Sequence, residues 1–132
     1  MGLVLRRILV AFDDPASPTL RRAAELAQAL GAELVVTNVA APVEGEDAEH
    51  AAGYARARLD EAQGILGQQG VAAEFVPSVG RPAEAIVRLA RERGADLIVV
   101  GTRRKKFFDR LVEGSVNQEV LRRAPCDVLV VL

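Results

Sequence analysis

Five short apolar runs alternate with four stretches of helical periodicity, and this alternation constrains the fold most. The runs are ILVAF at 8–12, LVVTNV at 34–39, VAAEFVPS at 71–78, DLIVVG at 96–101 and DVLVVL at 127–132. Several are apolar at consecutive positions, as expected of strands buried on both faces. Helical crossovers between such strands imply an α/β fold with a parallel sheet covered on both sides and right-handed connections. VAAEFVPS is the weakest run, and its Pro77 places it at a sheet edge or at the end of the strand.

The helices carry their own punctuation. Ser17-Pro18 reads as an N-cap with proline at the first helical position, and Gly31 closes that helix. In the second, Ala48, Ala52, Ala55, Leu59, Ala62 and Leu66 form one stripe, closed by Gly70. The third runs from Pro82 to about Arg93 with Ile86, Leu89 and Ala90 inward, and Gly94 closes it. The spacing predicts a last helix over about 116–123. At 132 residues with no linker or repeat, one domain spanning 1–132 is expected.

Composition narrows the function classes. Seventeen basic and eighteen acidic residues leave a net charge of -1, which argues against a general DNA or RNA binder. No apolar stretch is long enough for a membrane span, and the start, MGLVLRRILVAFDD, turns acidic too soon for a secretory signal. A lone Cys126 cannot form an internal disulfide, so a reduced, cytoplasmic location is expected. Cys126 precedes an apolar strand and reads as a small buried hydrophobe. His50 is the single histidine, lies in a polar stretch, and reads as a surface residue. With no second histidine or paired cysteine, neither a metal site nor a nucleophilic triad can be drawn.

In a parallel sheet, ligands sit beyond the carboxyl ends of the strands. Those ends are Asp13, Val39, Ser78 and Gly101. The segment after Gly101, GTRRKKFFDRLVEGS, carries four consecutive cations, Arg103 to Lys106, and ends on Gly114-Ser115 at the expected mouth of the last helix. Two readings stand for that mouth. Amide N–H groups at a helix start attract an anion. Ser115 with Gln118 three residues on also makes a capping box that needs no ligand. The cations are either a solvated face or phosphate partners. Neither a dinucleotide fingerprint nor a P-loop is present. Asp13-Asp14 is reminiscent of a phosphorylation receiver, but Pro77-Ser78 stands where its acceptor would be.

The chain resembles the universal stress protein family across its length. The pieces that carry the resemblance are ILVAFDD, ELAQALGAELVV, GRPAEAIVRLARERGADLIVVGTR and GSVNQEVLRRAPCDVLVV. The resemblance implies a single-domain, five-stranded parallel sheet of order 3-2-1-4-5 and a homodimer through the last strand, residues 127–132. It also implies stress adaptation through binding of an adenine nucleotide, ATP with Mg²⁺ included, with at most slow hydrolysis and no catalytic residue. The ATP-binding branch spaces a glycine, two residues, a glycine, nine residues, then Gly-Ser or Gly-Thr. Gly101, Gly114 and Ser115 fit this register, but Arg104 replaces the middle glycine. An arginine at positive φ there would cost about 1–2 kcal/mol. On the same grounds Asp13 matches the ribose-side acid, and Val39 lies where the adenine pocket is lined. Arg103, Arg104 and Val116 complete the expected set. The rival reading, motivated by Arg104, is a dimeric protein-interaction module that binds no nucleotide.

Overall fold

The computed structural model describes the backbone of residues 5–102 and 109–132, and side chains for 5–102 and 116–132. Strands and helices alternate: β1 (Arg7–Ala11), α1 (Pro18–Leu30), β2 (Glu33–Ala40), α2 (Ala48–Gln69), β3 (Glu74–Val79), α3 (Pro82–Arg93), β4 (Leu97–Gly101), α4 (Asp109–Arg123) and β5 (Asp127–Val131). The sheet is wholly parallel in the order β3-β2-β1-β4-β5. Strand β3 is an edge, and Pro77 faces Asn38 of β2 in register, where a missing N–H is tolerated.

Successive residues of β1 feed two cores, because side chains alternate across a strand. Ile8, Val10 and Phe12 meet Leu20 and Ala24 of α1 and Leu59 and Leu66 of α2. Leu9 packs on the opposite face with Ile86 and Leu89 of α3 and Val120 of α4. Alanines at the helix–sheet contacts, among them Ala23, Ala27 and Ala62, let the helices lie close to the sheet. Leu66 is fully buried, and its truncation to alanine would cost about 2–5 kcal/mol.

Helix ends follow the expected chemistry in part. Gly31 and Gly94 close α1 and α3 with φ of 65° and 63°, a region that side chains other than glycine rarely enter. Ser17 occupies the N-cap of α1 with Pro18 next to it, but its side chain makes no capping bond. Asp14 stabilises the approach instead, since its carboxylate accepts from Ala16 N–H at 2.9 Å. At α2, Asp47 accepts from His50 N–H at 2.9 Å.

Three expectations need correction. The α2 stripe buries Ala51 rather than Ala48, which is exposed, and leaves Ala52 half-buried, because the inward face follows the helical phase of 51, 55, 59, 62 and 66. Strand β3 pairs only from Glu74, not from residue 71. Helix α4 starts at Asp109, seven residues before the expected start. Gly114 and Ser115 therefore lie inside α4 rather than at its mouth. An interior glycine weakens a helix by only about 1 kcal/mol, too little to stop one flanked by Leu111, Val112 and Glu113.

Charges tie the amino ends of the strands. The Asp96 carboxylate accepts from Arg6 and Arg7 N–H at 2.8 and 3.0 Å, joining β4 to β1. Arg7 also donates to Glu33 at 3.0 Å, and Arg93 forms a two-point pair with Glu74 at 3.1 and 3.0 Å.

Candidate functional site

Helices α1 and α2 cover one face of the sheet, and α3 and α4 the other. The chain leaving β1 turns toward β2, while the chain leaving β4 turns toward β5 on the opposite face. Between the carboxyl ends of these two neighbouring strands the connections diverge and open a crevice, the switch point of an open α/β sheet. Phe12, Asp13, Gly101 and Thr102 lie at its rims.

On the β1 rim, Phe12 is buried and its N–H donates to Thr37 O at 3.3 Å. The Phe12 carbonyl accepts from the buried Asn38 amide at 2.8 Å. Asp13 follows directly and is exposed. Val39, half-buried near the end of β2, packs with the α3 face. Thr37 is fully buried and satisfied: it donates to Val76 O at 2.7 Å and meets Ser78 Oγ at 2.7 Å.

On the β4 rim, Gly101 has a structural reason that sequence reading missed. A Cβ there would collide with Thr19 Oγ1 and lie 3.3 Å from Thr19 Cβ. The space a side chain would fill is thus taken by α1. The Gly101 carbonyl accepts from the Asn117 amide of α4 at 3.2 Å, and Thr102 N–H donates to Val131 O at 3.1 Å. Val116, one residue before Asn117, packs with the same face as Val120.

The structure thus gathers Asp13, Val39, Gly101 and Val116 at the carboxyl end of the sheet. Arg103 and Arg104 lie outside the described residues. Within α4 the N–H groups of Gly114 and Ser115 are committed by helix geometry to carbonyls four residues earlier. They are not free amides at a helix start, as the spacing predicts. Asp14 holds its loop through Ala16, so its charge serves the turn.

Three residues at the crevice escaped sequence reading: Thr19, Asn38 and Asn117. Asn38 left one signal, a polar residue inside an otherwise apolar strand. Asn117 left none, since helical phase does not reveal which carbonyl a side chain reaches.

Burial, then Asp127 and Asp96, pushes the Cys126 thiol above its ordinary value, so it stays protonated at neutral pH. His50 is exposed, stacks edge-on against Tyr54 at 5.3 Å and lies 3.6 Å from Glu46. Among the described residues no cluster of three metal-ligating side chains occurs, and no helix is long and apolar enough to cross a membrane. Two shallow hollows lie elsewhere. One of about 290 Å³ sits between α3 and α4 beside Val87, Arg88 and Arg123. The other, about 230 Å³, sits at the far end of the sheet beside Gly31 and Gly70.

The family model described as the Universal stress protein family matches residues 5–131. A universal stress protein of Thermus aquaticus is 37% identical over 139 residues, covering 97% of this chain and 99% of the relative. A universal stress protein solved in complex with cAMP superposes with a TM-score of 0.80 at 28% identity, covering 98% of this chain and 99% of the other. One from Archaeoglobus fulgidus in complex with dAMP gives 0.70 at 28% identity, covering 98% and 100%. A member from Burkholderia pseudomallei gives 0.76 at 34% identity, covering 99% and 98%.

Proposed function

From the premise that this chain belongs to the universal stress protein family, we propose that it acts in stress adaptation by binding an adenine nucleotide at the β1–β4 crevice. The observation that carries this reading is the switch point itself, with Asp13 on one rim and Gly101 on the other. Family members of the same architecture were solved with cAMP and with dAMP.

The residues present suit the parts of such a ligand. The exposed Asp13 carboxylate is an acceptor for ribose hydroxyls. Val39 offers apolar surface to the base, and Val116 apolar surface beside the α4 wall. Gly101 brings backbone to the rim. Arg103 and Arg104 supply cations for phosphate, with Gly114 and Ser115 in the helix above. ATP would bring Mg²⁺ on its own phosphates. The reading is one of binding. We also propose a cytoplasmic homodimer. Among the described residues β5 pairs only with β4, and Leu129 and Leu132 beside its outer edge are 36% and 70% exposed.

Fluorescence anisotropy with a labelled adenine nucleotide tests the site. Unlabelled AMP or ATP should displace the probe, and Asp13→Ala should weaken binding about tenfold, the worth of a charge-assisted hydrogen bond. Unchanged affinity in Asp13→Ala would place the ligand elsewhere. The second reading, a protein-interaction module without nucleotide, is favoured by Arg104 at the glycine position. It predicts no displaceable probe in the wild-type protein and the appearance of one in Arg104→Gly.

A further inference from the structure

Both rims of the crevice end on a carbonyl held by an asparagine. Asn38 Nδ2 donates to Phe12 O at 2.8 Å, and Asn117 Nδ2 donates to Gly101 O at 3.2 Å. These carbonyls lie where the β1–β4 ladder has stopped: the last paired residues are Val10 and Val99. Neighbouring residues of a strand direct their amide groups to opposite sides. Because Thr102 N–H reaches Val131 of β5, the Gly101 carbonyl turns the other way, toward β1. Asn117 therefore reaches from α4 to the strand end that borders the crevice.

Among the described side chains, the other contacts of α4 with the sheet are of another kind. Val116 and Val120 make apolar contacts, which are non-directional and do not by themselves fix how far along the sheet the helix stands. Among the described side chains of α4, Asn117 alone hydrogen-bonds to the sheet; Arg123 pairs with Glu119 within the helix. From Asp109 to Asn117 the helix rises about 12 Å. Its first turns therefore stand beyond the level where Asn117 meets the strand end.

We propose that Asn117 is a positioning residue for the nucleotide site: its bond to the Gly101 carbonyl sets the height of α4's first turns over the crevice. Asn38 does the same for the Phe12–Asp13 rim. The inference rests on the adenine-nucleotide reading above and names what holds that site in shape.

Asn117→Asp isolates the bond. The side chain keeps its shape, but an ionised carboxylate accepts only and cannot donate to a carbonyl. Affinity for labelled adenine nucleotide should fall about tenfold at neutral pH. It should return as the pH falls toward the carboxylic acid range, about pH 4 to 5, where the protonated group regains a donor. Wild type and Asn117→Ala, measured over the same range, carry the titration of the ligand, of Asp13 across the crevice and of Glu119 on α4. Asn117→Ala should be weakened without acid recovery. Far-UV circular dichroism confirms that each variant is folded.

Wild-type affinity in Asn117→Asp at neutral pH overturns the positioning role, as does a loss that acid does not restore. Absence of binding by the wild-type protein contradicts the nucleotide reading itself and removes this role with it. The two failures are therefore told apart by the wild-type titration alone.

Discussion

Thr19, in the first turn of α1, sets its hydroxyl against the face of Gly101 where a side chain would begin. The contact ties the helix that follows β1 to the end of β4. Gly101→Ala should destabilise the protein by about 2 kcal/mol, because Thr19 is buried and little space receives a displaced atom. Thr19→Ala in the same chain removes the colliding oxygen and should restore much of that loss. Urea unfolding of the two single variants and the double variant measures it, and purely additive losses would reject the contact.

Asp96 joins β4 to β1 at the opposite end of the sheet through two short bonds to Arg6 and Arg7 N–H. Asp96→Ala should cost about 2 kcal/mol, as for other hydrogen bonds to a charged acceptor. The unfolding midpoint should drop while the m-value stays constant, since the folded surface is unchanged.

Cys126 should react slowly. Its thiol is raised above the ordinary value, first by burial and then by Asp127 and Asp96. The folded thiol therefore holds its proton more tightly than the unfolded one. This favours folding below the ordinary thiol value and is lost as pH climbs from there through the raised folded value. Alkylation of the native protein should lag behind that of urea-unfolded protein at mildly alkaline pH. Cys126→Ala should lack this part of the alkaline loss of stability. Equal alkylation rates in the two states would contradict the burial.

The open edge of β5 predicts its own result. Leu129→Arg places a charge beside the edge, where burial against a partner strand would desolvate it. Sedimentation velocity should show a dimer for the wild-type chain and a monomer for this variant. A monomeric wild type would remove the proposed assembly without touching the fold.

Much of the architecture was legible because both-face burial writes itself into consecutive apolar residues. Helix α3 was read with its observed ends, since Pro82 opens it and Gly94 closes it. The start of α4 was not legible. Its cation run, followed by Gly114-Ser115, has the composition of a loop ending in a cap, whereas glycine's small helical penalty let the helix continue back to Asp109. At the proposed site, the divergence of chain at β1 and β4 follows from the strand order, so Asp13 and Gly101 could be placed at the carboxyl end of the sheet from sequence. Thr19 and Asn117 were not, because each acts through a contact between elements far apart in the chain. Nor was the packing reason for Gly101 legible: its missing side chain makes way for Thr19.

Calorimetric titration of the purified protein with adenine nucleotides, with and without Mg²⁺, tests the central claim most directly. Saturable heat with one site per chain, abolished or weakened by Asp13→Ala, is the predicted result. No heat and no thermal shift for ATP, AMP or cAMP at millimolar concentration would contradict it.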